Sequence, residues 1–135
     1  MKQILIAFSI LLFAIFTTGA EAQPKAASAQ QKLCYEQAEK VTKELAMDGW
    51  TTDWTSHYNL KTNICYVRAL ESKVDDDGNL FVRILIKDAF QNDEVGFFFS
   101  REKAGLKKVF VCRVEGDKCG NEDEFFRRTR SIWQD

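Results

Sequence analysis

The spacing of apolar residues changes once along the body of this chain and changes back near its end. Between about Gln30 and Met47, Cys34, Ala38, Val41 and Leu45 recur every three or four residues, with Glu36, Glu39, Lys40, Lys43 and Glu44 between them. That spacing predicts an amphipathic helix. Glu36/Lys40 and Glu39/Lys43 are acid-first i,i+4 pairs that support it, and Asp48-Gly49 supplies its stop. Beyond Gly49 the period falls to two. Trp50–Tyr58, Ile64–Ser72, Leu80–Phe90, Val95–Ser100 and Lys108–Val114 read as strands, and Leu80, Val82, Ile84 and Ile86 form one apolar face. Turn chemistry separates them: Asn59 to Asn63, the Asp75-Asp76-Asp77-Gly78-Asn79 run, Asn92-Asp93 and a charged loop around Gly105. The helical period returns after Asn121, an N-cap with Glu124 three residues on. Phe125, Phe126, Thr129, Ile132 and Trp133 follow.

The expected architecture is α+β: an N-terminal helix, a five-stranded antiparallel meander and a C-terminal helix. Short links favour hairpins over parallel crossovers. Both helices are expected on one face of the sheet, giving two layers.

The first residues change the picture from a bare domain to an exported one. Met1-Lys2, the apolar run Ile4 to Phe16 and the small-x-small site Ala20-Glu21-Ala22 have the three parts of a secretory signal. The apolar run is shorter than the about 20 residues a spanning helix needs. The reading is a signal peptide over 1–22, a flexible leader over 23–31 and one disulfide-bearing domain over 32–135, in the periplasm or outside the cell, with no membrane span after cleavage. Cleavage removes one base, Lys2, and one acid, Glu21, so the formal net charge stays at −1. Nucleic acid is therefore not an expected partner, since its recognition demands a basic excess.

Cys34, Cys65, Cys112 and Cys119 give an even count in an exported chain, which reads as two disulfides with three pairings open. The Glu115-Gly116-Asp117 turn between the last two favours Cys112–Cys119 and leaves Cys34 for Cys65. Zinc is disfavoured, because no pair has structural-site spacing and His57, the single histidine, stands apart.

No catalytic set emerges. Placing Gly78 at the sixth position of an EF-hand loop puts Lys73 and Ile84 where acids are required. His57 has Ser56 beside it, but neighbours on a strand point to opposite faces, and no G-x-S-x-G surrounds a serine. No cofactor or metal is expected. Two surfaces stand out instead. Tyr66, Phe81 and Phe98 are expected on the side of the sheet away from the helices, as an aromatic partner patch. Asp117 and Lys118 sit in the short Cys112–Cys119 loop, which a disulfide would hold rigid before binding.

Ser56-His57-Tyr58-Asn59-x-Lys61-x-Asn63-x-Cys65 and the tail Cys119-x-Asn121-x-x-Glu124-Phe125 resemble a group of small, uncharacterised exported bacterial proteins with no known activity. The resemblance implies export, two disulfides and an α+β domain, and it carries over no catalytic residue. The function expected is that of a non-enzymatic binding or accessory protein with an envelope or extracellular protein as partner. The alternatives are a small hydrolase using His57 and a structural or stress-related envelope domain.

Overall fold

The computed structural model describes residues 22–135. The signal segment, up to its final Ala22, lies outside the described residues. The chain forms helix α1 (Ala22–Leu45), strands β1 (Thr51–Asn59), β2 (Ile64–Val74), β3 (Leu80–Asp88), β4 (Glu94–Lys103), β5 (Leu106–Val114) and β6 (Asp117–Lys118), helix α2 (Glu122–Thr129) and a closing 3-10 turn (Arg130–Trp133). The strands form one antiparallel meander in sequence order. This is an α+β fold with one strand more than the sequence predicts. Glu115 and Gly116 take positive φ, at 52° and 84°, and the reversal they make pairs Asp117 with Val114 and Lys118 with Arg113.

The helices do not share a face, which overturns the two-layer arrangement. Cross-strand register decides which side chains lie together. Tyr58 opposes Cys65 and Ala69 opposes Leu85, and onto this face α1 packs Cys34, Ala38 and Val41 against Cys65, Val67 and Ala89. Leu70 opposes Ile84, Ile84 opposes Phe98 and Phe98 opposes Cys112. Those residues have the other parity, and α2 with the closing turn covers them through Phe125 and Ile132. The molecule therefore has three layers, with the sheet in the middle and a separate core on each side.

Residues 23–31, expected as a flexible leader, belong to α1. The segment is rich in Ala and Gln, both good helix formers, and Pro24 falls in the first turn, where its missing N–H costs nothing. Gln31 ties this part of the helix to the sheet: its Oε1 accepts the Tyr58 N–H at 2.9 Å. The other end of α1 is anchored from β3: Arg83 donates to the Leu45 carbonyl at 3.1 Å and ion-pairs with the fully buried Glu71. A guanidinium on the last carbonyls suits a helix C-terminus.

Both disulfides have the favoured pairing: Cys34–Cys65 joins α1 to β2, and Cys112–Cys119 staples β5 past its turn. Asn121 caps α2 by accepting the Glu124 N–H at 2.9 Å, while Glu124 Oε2 accepts the Gly120 N–H at 2.8 Å. Gly96 on β4 is where α2 comes closest. A Cβ there would lie 3.2 Å from two ring carbons of Phe125, so the absent side chain lets the ring settle on the strand.

The Asp75–Asn79 run is a hairpin turn held by one carboxylate. Asp75 Oδ1 accepts the N–H of Asp77 at 3.0 Å and that of Asn79 at 2.8 Å, and Oδ2 takes the Asn79 amide at 2.7 Å. The hydrogen bonds from the Asn79 backbone and side chain hold the Asp75 carboxyl below its ordinary 3.8, with smaller help from the Asp77 N–H and the Lys103 charge. A depressed folded pKa means that this turn's contribution is complete above 3.8 and falls away as pH drops through the lower folded value. In an NMR titration Asp75 is expected to titrate below 3.8, and Asn79→Ala is expected to move its midpoint upward. An unmoved midpoint would show that Asn79 is not the cause.

Candidate functional site

On the α1 face the helix lies over β1 and β2, and among the described residues no helix covers the β3–β5 half. The register places Phe81 opposite Arg101, Arg83 opposite Phe99, Leu85 opposite Phe97, Phe97 opposite Arg113 and Phe99 opposite Val111. A β-bulge follows: Phe99 pairs with Val111 but Ser100 with Val109, so Phe110 is the extra residue, which the partner strand leaves unpaired. Its ring turns to this face and lies 5.5 Å from Phe99, which stacks on Phe81 at 6.3 Å. Cations sit on these rings. Arg101 and Lys108 lie 5.9 and 5.3 Å from the centre of Phe110, and Arg113 lies 5.5 Å from that of Phe97. Phe110 is 44 % exposed. The acid touching this group is Glu94, 3.0 Å from Arg113. Such a surface can bind a partner by burying aromatic area and by cation–π and charge-assisted contacts.

The expected patch of Tyr66, Phe81 and Phe98 is not one surface. Tyr66 and Phe98 are buried in the core beneath α2, and Phe81 lies on the opposite face. The cause is the placement of the helices: with α2 covering the face of Tyr66 and Phe98, no aromatic patch remains there. Asp117 and Lys118 are exposed on β6 but apart from Phe81. Arg128 ties their loop to α2, donating to the carbonyls of Val114 and Lys118 at 3.0 Å each. Phe97 and Phe99 could be grouped from the alternation of β4, whereas Phe110 could not, because the bulge shifts its parity.

His57 lies on the α2 face, 6.0 Å from the ring of Trp133. Its Nε2 is 3.3 Å from Asp135 Oδ1, yet the contact lacks hydrogen-bond geometry and leaves that nitrogen without a partner. Ser56 points to the other face, opposing Val67. Among the described residues, no three His, Cys, Asp or Glu side chains converge on a metal-sized point.

The Ser56–Cys65 segment serves the structure. Asn59 is 1 % exposed. Its Oδ1 accepts the N–H groups of Lys61 and Thr62 at 3.0 Å each, closing the β1–β2 turn. Its Nδ2 donates to the carbonyl of Ile132 at 3.0 Å and to those of Ser131 and Gln134 at 3.3 Å. One side chain thus fastens the hairpin that carries Cys65 to the end of the α2 layer.

No family model, no curated protein and no solved structure matches this chain. The two disulfides, and the absence among the described residues of a helix long and apolar enough to cross a membrane, are compatible with a secreted or extracellular protein.

Proposed function

We propose that this chain is a non-enzymatic binding or accessory protein of the bacterial envelope or exterior, and that its partner is a protein with an acidic surface, docked on the β3–β5 half of the α1 face. The observation that carries this reading is the row Phe81, Phe99 and Phe110, without a covering helix among the described residues and overlaid by Arg101 and Lys108. Charge selects the partner. A second copy meeting this face across a two-fold axis would bring Arg101, Lys108 and Arg113 towards their own images, and like charges brought together disfavour the contact. An acidic partner meets them favourably. The same three cations argue against an apolar partner, since their desolvation needs compensating anions. The hydrolase alternative has less support: Ser56 and His57 face opposite sides of the sheet, and the nearby Asp135 carboxylate makes no hydrogen bond to His57 Nε2.

The test is capture by oxidised protein from envelope and culture extract, with crosslinking and mass spectrometry. The expected result is an acidic protein whose capture weakens with added salt. It is lost with Phe110→Ser and with Lys108→Glu but kept with Asp117→Ala/Lys118→Ala. Capture that survives both Phe110→Ser and Lys108→Glu would overturn the reading. Loss confined to the Asp117/Lys118 variant would move the contact to the stapled loop.

A further inference from the structure

On the α2 face, at the β1–β2 side of the sheet, Arg68 stands half-buried on β2. Its guanidinium lies over the ring of Trp133, 5.2 Å from the centre. None of the ion pairs or hydrogen bonds among the described residues uses it. Its five donors are thus left to solvent or to a ligand. Arg68 instead lines a cavity of about 200 Å³ with Asp53, Thr55, Leu70, Ile84 and Phe126. Leu70 and Phe126, 41 % and 40 % exposed, form its apolar walls from opposite sides, one on β2 and the other on α2.

We infer that this cavity binds a small apolar α-amino acid, with its carboxylate on Arg68, its ammonium on Asp53 and its side chain against Leu70, Ile84 and Phe126. This site is independent of the β3–β5 surface, which lies on the opposite face. Size comes first: the cavity, about 200 Å³ and partly open to solvent, has room for an amino acid. Charge restricts it next. Asp53 opposes Leu70, and Thr55 opposes Arg68, so Asp53 and Arg68 are diagonal neighbours, about 7–8 Å apart by strand geometry. They make no ion pair with each other. With neither charge spent on the other, the two side chains can take the opposite ends of a zwitterion. Asp53 Oδ1 is held by the Trp54 N–H at 2.9 Å, which fixes the carboxylate while leaving Oδ2 for a ligand. A dicarboxylate is disfavoured, because its second charge would meet Asp53. An amine without a carboxylate leaves Arg68 unused.

The probe is L-leucine, titrated into isotope-labelled oxidised protein and followed through backbone amide shifts. Two truncations accompany it: 4-methylpentanoate, which lacks the amine, and 3-methylbutylamine, which lacks the carboxylate. The expected result is saturable shifts at Thr55, Arg68, Leu70 and Phe126 with leucine, and weaker binding of both truncations. Arg68→Gln is expected to weaken leucine about tenfold or more, the effect of one charge-assisted hydrogen-bonded contact. Asp53 is exposed, so Asp53→Asn keeps the fold even where Arg68→Gln does not, and it is expected to reduce leucine binding to the level of 4-methylpentanoate. The inference is overturned if millimolar leucine gives no saturable shift, if a folded Arg68→Gln binds as well as the parent, or if 4-methylpentanoate binds as tightly as leucine.

Discussion

Phe125→Ala is expected to destabilise the fold by about 3–5 kcal/mol, the range for deleting a buried aromatic ring. Phe125 is fully buried. Its ring packs on Phe98 at 5.7 Å and lies against Gly96. Two features place the loss at the high end. α2 is short (Glu122–Thr129), and Phe125 is its one buried large apolar side chain, so its other ties to the sheet are polar, chiefly Arg128 on the Val114 and Lys118 carbonyls. The site also collapses poorly, because Gly96 offers no side chain to move into the cavity. Chemical denaturation should show a lower midpoint with an unchanged slope if unfolding stays two-state. Loss of α2 alone, with the sheet intact, would instead appear as amide exchange confined to residues 121–135, and would show that the two cores melt separately. Phe126→Ala is the control: one position along, that ring is 40 % exposed, and a change of well under half the Phe125 effect is expected.

Much of this architecture is legible in the residues themselves. The helical spacing of Cys34, Ala38, Val41 and Leu45 marks the buried stripe of α1. The alternation of β3 puts Leu80, Val82, Ile84 and Ile86 on one face, and the Asn121/Glu124 pair marks the start of α2. The turn between Cys112 and Cys119 fixes their pairing and leaves Cys34 for Cys65. What alternation alone does not reveal is which face each helix takes. That depends on strand register, which carries parity from one strand to the next. Cys34 commits α1 to the face of Cys65, while Phe125 commits α2 to the face of Phe98. Only the pairing of Leu70 with Ile84 and of Ile84 with Phe98 shows these faces to be different. With both helices assigned to one side, Tyr66 and Phe98 read as a free patch. With one on each side they become core, and the uncovered area moves to Phe81, Phe99 and Phe110.

The same dependence hides the two candidate sites. Phe110 joins the row of rings because of a bulge, and a bulge of this kind has no composition signature between Val109 and Val111. Arg68 looks in sequence like any polar position on a half-exposed strand. Its isolation from carboxylates appears only when Asp53, on the neighbouring strand, turns out to be diagonal to it. The helix over 23–31 is hidden for a different reason: Ala and Gln without apolar periodicity suit a solvated helix as well as the flexible leader expected there.

Removing the Cys34–Cys65 bridge, as Cys34→Ala/Cys65→Ala, is expected to cost about 3.7 kcal/mol by the chain-entropy estimate for a loop of that length, against about 2.5 for Cys112→Ala/Cys119→Ala. The sequence separations are 31 and 7, so the longer loop gains more from closure. Packing widens the difference. Cys34 and Cys65 are both essentially inaccessible in the α1 core, and α1 meets the sheet on β1 and β2; without the bridge its docking rests on Ala38, Val41 and Leu45 against Val67, Trp54 and Tyr58 and on the hydrogen bonds of Gln31 and Arg83. Cys119 is only half-buried, and the β5–β6 turn keeps the Cys119 N–H bond to the Cys112 carbonyl at 3.0 Å, so the shorter loop can hold its shape without sulfur. Denaturation of the two double variants beside the parent, all without reductant, gives the ranking directly. If the Cys112/Cys119 variant were the less stable of the two, neither loop length nor core burial would be setting the contribution of these disulfides. The β5–β6 staple, rather than the α1–β2 bridge, would then be the principal restraint on this fold.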